Sequence, residues 1–280
     1  MAEESPVRLD PAVPPEVDPS QPSPARVYDY LLGGVNNFPA DRAAAELMKS
    51  MAPELVDAAF ANRGFHQRAA KWIAERGVRQ FIDIGSGLPT VGNTHEVVRK
   101  VHPDARVVYV DNDPMVRLYG SHLLGADDRA AVVLADLRDP ESVLGSDAVR
   151  GLIDFGEPVA VLTTAVLHFV SDDDDPAALI GRYTGPLAAG SYLAISHITA
   201  DQKPPKAVEA IREAGRRTAG GSYPRSKAEV ERIVGGLDVV PPYEGAPPEV
   251  TWVGLWNCDD PAEADSEGSR WLYCAVARKT

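Results

Sequence analysis

Three short apolar runs, each with an aspartate at or near its end, constrain the fold of this chain more than any other feature. The runs cover residues 80–84, 106–110 and 131–135. Helical patterns separate them, with a capping box that begins at Asn93 and a proline, Pro114, that suits a first helical turn. Strands that alternate with helices of this kind form right-handed βαβ units and a parallel sheet. The sequence therefore predicts a doubly wound α/β domain.

Further patterns extend this domain in both directions. Apolar runs predict four more strands, at residues 159–163, 192–195, 237–240 and 271–277. Phe65, Trp72 and Ile73 stand at helical spacing and predict a helix over residues 62–77, before the first strand. Ser226, with a glutamate three residues later, forms a second capping box.

The strand ends carry the polar residues that point to a ligand. In open parallel sheets, ligands bind outside the carboxyl ends of the strands. Near the end of the first strand come Asp83, Gly85 and Gly87, and the two glycines permit a tight turn and a close approach of backbone to ligand. Asp111, after the second strand, is placed to accept both hydroxyls of a ribose. Asp136, after the third strand, is placed to accept from the amine of adenine, so the three strand ends predict an adenosine site.

The turn after the first strand narrows the choice of adenosine ligand. A dinucleotide site requires a third glycine and a helix N-terminus directed at the pyrophosphate. Pro89 and Thr90 occupy that stretch here, and the next helix begins only near Asn93. A ligand with ribose and adenine but no phosphate fits better, and S-adenosylmethionine (SAM) is the common one. A nucleotide-dependent oxidoreductase is the less favoured alternative.

The chain resembles a bacterial family of S-adenosyl methyltransferases, common in actinobacteria and formerly a domain of unknown function, within the class I SAM-dependent methyltransferases. The resemblance rests on residues 25–34, 36–38, 41–42, 62–63, 80–90, 93–96, 107–114, 135–140, 165–169, 190–193 and 196–197. It implies a Rossmann-like, mostly parallel sheet with an antiparallel last strand, an N-terminal helical extension, and SAM as methyl donor. Residues 241–267 depart from the family pattern, so no acceptor preference carries over from them.

The resemblance and the strand ends together suggest further contacts with the donor. The candidates are Tyr28, Gly33 and Gly34 in the N-terminal segment, His95 beside the glycine turn, Asn112, Leu137, and Thr164 with Ala165 after the fourth strand. The ring of Tyr28 or Tyr30 is suited to meet a sulfonium by cation–π contact. The alternative for these residues is an ordinary role in turns and connectors, where threonines often satisfy local backbone groups.

Two histidines are candidates for a general base. His168 lies just past the fourth strand, and an acceptor hydroxyl or amine must lose a proton that an imidazole can take near pH 7. His197, at the end of the fifth strand, is the weaker candidate, and a packing role is the alternative for both. Four acids at residues 172–175 follow His168, but such a run before a proline more often begins a solvated helix. We therefore predict no metal site.

Charge and composition disfavour several partners. With 28 basic and 41 acidic residues the net charge is −13, whereas nucleic acids and anionic membranes require clustered Lys and Arg. No apolar run reaches the roughly 20 residues of a membrane span, and no signal peptide is visible, so the expected location is the cytoplasm. Cys258 and Cys274 lack the spacing of a zinc or disulfide framework and are expected to be free thiols.

The acids concentrate in two segments that set the expected organisation. Residues 1–24 form a proline-rich acidic tail expected to be extended or disordered, and residues 244–269 form an acidic variable insert. Between them we expect a helical extension or lid at residues 25–77 and a SAM-binding methyltransferase domain at residues 78–280. The expected activity is methyl transfer to an unidentified small molecule. A SAM-binding regulatory protein without that activity is the main alternative, and no pattern indicates an oligomeric state.

Overall fold

The structure is a computed structural model that describes residues 13–216, 218 and 221–280. The strands are β1 (Gln80–Ile84), β2 (Arg106–Asp111), β3 (Ala130–Leu134), β4 (Ala160–Thr164), β5 (Tyr192–Ile198), β6 (Asp238–Val239), β7 (Thr251–Trp252) and β8 (Leu272–Arg278). The helices are α1 (Pro24–Leu31), α2 (Pro39–Met51), α3 (Leu55–Ala74), α4 (Thr94–Val98), α5 (Pro114–Leu124), α6 (Pro140–Leu144), α7 (Asp147–Leu152), α8 (Pro176–Thr184), α9 (Pro205–Arg216), α10 (Lys227–Val234) and α11 (Pro261–Ala264). None of the helices in these ranges combines the length and apolar character that a bilayer crossing requires.

Within the described residues, the strands form one eight-stranded sheet. Its order is β3-β2-β1-β4-β5-β8-β6, and β7 also pairs with β8. Strands β1 to β5 are parallel, whereas β8 runs antiparallel to β5 and to β6. The predicted doubly wound sheet with an antiparallel last strand is therefore confirmed. The chain order reverses between β1 and β4, which is where such sheets form their ligand crevice.

Both faces of the sheet are buried, and alternate strand residues serve opposite faces. Phe81 packs in the cluster that contains Phe65 and Ile73 of α3, whereas its neighbour Ile82 packs in the cluster that contains Leu179 of α8. This two-sided burial explains why the strands are continuous apolar runs rather than alternating ones. The same alternation decides which polar residues near the strand ends reach the crevice.

Local signals account for where several helices begin. The two predicted capping boxes are present, and the backbone N–H groups of Asn93 and Ser226 donate to the carboxylates three residues later, each at 2.8 Å. The helix predicted over residues 62–77 is longer at its start, because α3 begins at Leu55. Buried Leu55 and Ala58 continue its apolar face for two more turns.

A buried ion pair network joins the N-terminal helices to the sheet. Arg26 of α1 donates to the carboxylate of Asp41 in α2 at 2.9 Å and to that of Asp113, after β2, at 3.0 Å. All three side chains are at least nine-tenths buried, so each charge relies on the others for compensation. The network holds α1 and α2 against the end of β2.

The two acidic segments pack against the domain where the structure describes them. In the predicted tail, residues 13–23 are described, and Val17 packs beside Leu88 and Met115; residues 1–12 lie outside the described residues. The segment 244–269 contains β7 and α11. Its Trp256 is almost fully buried, with its ring edge-on to that of Phe65 at 5.7 Å between centroids.

Candidate functional site

A cavity lies at the carboxyl ends of β1, β2 and β4, and α1, α2 and α3 contribute to its walls. Ten of the residues predicted from the sequence line it: Tyr28, Gly85, Gly87, Asp111, Asn112, Asp136, Leu137, Thr164, Ala165 and His168. The other six, Tyr30, Gly33, Gly34, Asp83, His95 and His197, are not part of its lining. The structure thus brings together strand ends that are far apart in sequence.

The turn after β1 requires both of its glycines. Gly85 and Gly87 have φ angles of 68° and 66°, in the left-handed region that favours glycine. A Cβ on Gly85 would stand 2.2 Å from Val166, so this position also has no room for a side chain. At Gly87 the corresponding space is empty, and the backbone there is open to a ligand in the cavity.

Asp111 connects the ends of β1 and β2. Its carboxylate accepts the backbone N–H of Gly87 at 2.9 Å and that of Asp113 at 3.0 Å. A carboxylate can accept about four hydrogen bonds, so acceptor capacity stays available on a side chain that lines the cavity. Burial raises the pKa of Asp111 to about 6, although the backbone N–H groups of Asp113, Gly87 and Asn112 act in the opposite direction.

Asp136 sits two residues past β3 and is paired with a neighbour. Arg138 donates to both of its carboxylate oxygens, at distances from 2.6 to 3.1 Å. This bond lowers the pKa of Asp136, which is therefore ionised at neutral pH. Leu137 stands between Asp136 and Arg138 in the chain. Its backbone carbonyl accepts a hydrogen bond from the hydroxyl of Tyr183 at 2.8 Å, which holds this residue in place.

Asp83 acts on the cavity through a chain of hydrogen bonds. Thr94 donates its hydroxyl to Asp83 at 2.6 Å and must then accept from Nε2 of His66 at 2.8 Å. The Nδ1 atom of His66 is left to accept the hydroxyl of Thr164, at 2.9 Å, on the cavity wall. Burial lowers the pKa of His66 to about 4, so the ring is neutral and this tautomer orients Thr164.

Local structural contacts, rather than a place in the cavity wall, account for Gly33, Gly34 and His95. Gly34 lies so close to the Asp29 carboxylate that a Cβ would overlap it, and Asp29 also accepts from Asn37 at 2.8 Å. The two glycines therefore let the loop after α1 wrap around a buried carboxylate. The Nδ1 atom of His95 is 2.6 Å from the hydroxyl of Tyr109, beside the glycine turn rather than in the cavity.

His197 is fully buried and both of its ring nitrogens are engaged. Nδ1 donates to the carbonyl of Ile198 at 2.8 Å, and Nε2 accepts from Arg225 at 2.9 Å. Burial lowers its pKa to about 4. In β5 it shares a face with Ile195, whereas Ile198 faces the cavity, so its ring lies on the opposite side of the sheet.

His168 lines the cavity and is only 8% exposed. Neither of its ring nitrogens has a hydrogen-bond partner among the described residues, and its Nδ1 is fully buried. Arg225 donates to the carbonyls of Leu167 and Val170 at 3.1 and 2.7 Å and so clamps the turn that carries it. Burial, with Arg225 and His197 nearby, holds the pKa of His168 well below its usual 6.5, so the ring is neutral.

Comparison with known proteins decides the family. Residues 11–280 match the model of a family described as S-adenosyl methyltransferase. The chain belongs to this S-adenosyl methyltransferase family. A search of curated proteins returned no match.

Two solved structures show how closely family members share this architecture. A candidate methyltransferase from Thermobifida fusca YX is 41% identical, with a TM-score of 0.87 over 95% of this chain and 98% of that one. A DUF574 family protein from Streptomyces avermitilis MA-4680 is 38% identical, with a TM-score of 0.87 over 94% and 99%. An O-methyltransferase family protein from Burkholderia thailandensis is 15% identical with a TM-score of 0.52, over 84% of this chain and 62% of that one, and shares the fold.

The S-adenosyl methyltransferase family uses SAM as its methyl donor, and the polar groups of the cavity suit it. Among the described residues, three lining side chains keep a buried polar atom without a partner: Nε of Arg63, Oγ of Ser86 and Nδ1 of His168. Together with the open side of Gly87 and the carboxylate of Asp111, they leave several unmet contacts in the cavity for bound ligands.

Among the polar residues of the cavity lining that sequence reasoning missed are Asn62, Arg63, His66 and Ser86. Asn62 links Tyr28, to whose hydroxyl it donates at 2.9 Å, with Ser196. Three of the four lie on α3, before the first strand, where no strand-end rule applies. The only available signals were the family resemblance at residues 62–63 and the position of Ser86 between the two glycines.

Proposed function

We propose that this methyltransferase family member transfers the methyl group of SAM to a small-molecule acceptor, with both bound in the cavity. The observation that carries the proposal is the bond between Gly87 and Asp111, which fixes a carboxylate at the crevice where the strand order reverses. The vicinal hydroxyls of a ribose would donate to the acceptor capacity that this carboxylate has left. Asp136 and Asn112, at the neighbouring strand ends, would receive the adenine.

The methionine end of the donor would lie toward β1 and β4. Arg63 reaches the turn region, where it donates to the carbonyl of Gly92 at 3.0 Å, and its Nε has no partner in the part of the chain that the structure describes. With Ser86 it would hold the methionine carboxylate, because a guanidinium forms strong charge-assisted hydrogen bonds with carboxylates. The ring of Tyr28, whose hydroxyl donates to the carbonyl of Ala59, is held in the wall where cation–π contact with a sulfonium is available.

Transfer requires the acceptor to be held in line with the donor. When bound, SAM supplies an electrophilic methyl group on a sulfonium. Most of the acceleration comes from positioning the two reactants, which the fixed backbone of Thr164 and Ala165 would provide at the end of β4. Ala165 has a φ of 54° and donates its N–H to Ser196 at 2.9 Å, so this strand end is rigidly oriented. His168, which is neutral and has no hydrogen-bond partner within the described ranges, would take up the proton that the methyl acceptor loses.

The net charge of the chain and the state of its two cysteines support a kind of acceptor and a compartment. The net charge of −13 favours a small-molecule acceptor over nucleic acid or a membrane surface. Cys258 and Cys274 are both free thiols, which supports action in a reducing compartment such as the cytoplasm.

Incubation with SAM labelled on its methyl group, together with the small-molecule fraction of a bacterial lysate, tests the proposal. We expect label in a low-mass product with the native protein and a large loss with Asp111→Ala. If the native protein binds S-adenosylhomocysteine (SAH) but labels nothing in this fraction, in the protein fraction or in nucleic acid, a SAM-binding protein without transferase activity becomes the better description.

A further inference from the structure

One end of the cavity, between α2 and α9, is lined by apolar side chains. The helices pack against each other there, and Ile198 and Leu272 pair across β5 and β8 to close that end. Its lining includes Leu31, Ala44, Met48, Ile198, Ile211 and Leu272. We call this part of the cavity the apolar chamber. Among the described residues that α2, α9, β5 and β8 contribute to the lining, none is charged.

His168 supplies the unmet polar group on the β4 side of the cavity. A neutral imidazole has one donor and one acceptor, and neither has a protein partner among the described residues. Burying such a group without hydrogen bonds is unfavourable. The backbone of His168 is nevertheless fixed, because Arg225 clamps its turn and the backbone N–H of Tyr223 donates to its carbonyl at 2.8 Å. Its ring is packed against those of Phe169 and His197, at 4.3 and 5.7 Å between centroids. A fixed, buried and unpartnered imidazole in the wall of a cavity points to a ligand.

We infer that the apolar chamber takes an uncharged aromatic acceptor that directs a phenolic hydroxyl at His168. This inference rests on the proposed function, because it names the acceptor class of the same site. A carboxylate or an ammonium group would lose its hydration in the chamber without gaining a counter-charge, which is costly. An alkyl amine is protonated at neutral pH, so it would also lose its hydration without gaining a counter-charge.

The chemistry of His168 favours a phenol over an aliphatic alcohol. Burial holds the pKa of this imidazole low, which makes it a weak base. A phenol, with a pKa of about 10, gives up its proton far more readily than a hydroxyl whose pKa is close to the roughly 15.7 of water. In the transfer step the phenol oxygen bonds to the methyl carbon as the carbon–sulfur bond breaks. The electron pair of that bond stays on sulfur, and the phenol proton passes to His168 and then to solvent.

Calorimetric titration in the presence of saturating SAH tests the inference with defined probes. Phenol and 1-naphthol represent the proposed class, and benzoate and 1-naphthoate are their anionic counterparts. We expect at least one phenol to bind, at least tenfold more tightly than its anionic counterpart. The native protein should also transfer labelled methyl to the phenol that binds.

A matched pair of variants places the probe in the chamber. Ala44 lines the cavity, whereas the adjacent Ala43 is exposed on the same helix. Ala44→Phe should weaken binding of the phenol at least tenfold and change SAH affinity less than twofold, and Ala43→Phe should change neither. Ala44→Leu replaces Ala44→Phe if the larger side chain prevents folding, as judged by thermal unfolding.

The outcomes separate this inference from the proposed function. If SAH does not bind the folded native protein, the proposed function fails with it. If SAH binds but neither phenol does, or if the anions bind as tightly, the acceptor class is wrong while the donor site stands. Unchanged phenol affinity in a folded Ala44 variant would equally overturn the placement in the apolar chamber.

Discussion

The backbone N–H of Gly87 donates a 2.9 Å hydrogen bond to the carboxylate of Asp111, which ties the glycine turn after β1 to the end of β2. The bond fixes two groups that a nucleoside would meet, one backbone and one acidic. It also orients the carboxylate before any ligand arrives, so little reorganisation is needed on binding.

Donor affinity should depend on the ionisation of Asp111. Burial raises its pKa from 3.8 to about 6, and ribose hydroxyls donate to the ionised form. SAH affinity should therefore rise with pH through about 6 and level off above it, with about tenfold weaker binding at pH 5 than at pH 7.5. Calorimetric titration with SAH across this pH range measures the affinity, and Asp111→Asn should remove most of its pH dependence. Affinity that is flat, or that falls as pH rises, would exclude this role of Asp111.

The same pKa shift has the opposite effect on folding stability. Because the folded-state pKa lies above the unfolded-state value, the contribution of Asp111 to stability is greatest below pH 4 and is lost as pH rises through about 6. Asp111→Asn should therefore stabilise the ligand-free protein relative to the native chain at pH 7.5 more than at pH 4. Urea unfolding at the two pH values compares them, and an equal effect at both would show that the carboxylate is not desolvated.

His168→Gln should separate proton transfer from donor binding. Glutamine keeps a hydrogen-bonding side chain but is not a base, so methyl transfer should fall by about 10²–10⁴-fold while SAH affinity changes less than twofold. His122→Gln, at an exposed histidine on α5, is the matched control and should leave both unchanged. Transfer at the native rate in the His168 variant would assign this histidine to packing alone.

Arg63→Met should weaken the donor by removing a charged hydrogen bond to the methionine carboxylate. Such bonds contribute about 1.5–3 kcal/mol, so SAH affinity should fall by about ten- to a hundredfold. Adenosine, which has no carboxylate, should bind both proteins equally, and this comparison distinguishes a direct contact from a disturbed fold. Arg79→Met, at an exposed arginine paired with Asp104, serves as control. An equal loss for adenosine and SAH would contradict the assignment.

Arg26→Met should destabilise the whole protein. It leaves the carboxylates of Asp41 and Asp113 buried without their cation, which costs about 3–5 kcal/mol of unfolding free energy. Urea unfolding measures the loss, and Arg42→Met, on the exposed side of α2, should change stability by less than about 0.5 kcal/mol. A loss below 1 kcal/mol at Arg26 would mean that the network does not hold the N-terminal helices.

The sequence was sufficient for seven of the eight strands that the structure describes, all but β7, and for the cavity residues that follow a strand end. Asp111, Asp136 and Thr164 were predictable because the carboxyl ends of parallel strands meet at one edge of a sheet. Asp83 was placed in the same group, but its side chain shares the face of Phe81 and so points toward α3 and α4. Alternate residues of a strand point to opposite faces of the sheet, and this explains the position of Asp83. The sequence shows the alternation, but it can be used only once the face that meets the cavity is known.

The contributions of α3 were not predictable, for a different physical reason. His66 and Asn62 stand among the buried positions of an amphipathic helix, where a polar residue commonly satisfies a local contact. Their partners, Thr94, Thr164 and Ser196, come from elements up to 134 residues away, and only tertiary packing brings them together. The unpartnered state of His168 likewise becomes visible only when every neighbour is in place.

The most direct test of the central claim is a calorimetric titration of the native protein and of Asp111→Ala with SAH. The account predicts one site in the native protein and at least about tenfold weaker binding in the variant, because each hydrogen bond to a charged acceptor contributes about 1.5–3 kcal/mol. Asp173→Ala, at an exposed acid, should bind like the native protein. Equal affinity in the native protein and a folded Asp111→Ala variant, or no binding to the native protein, would contradict the account.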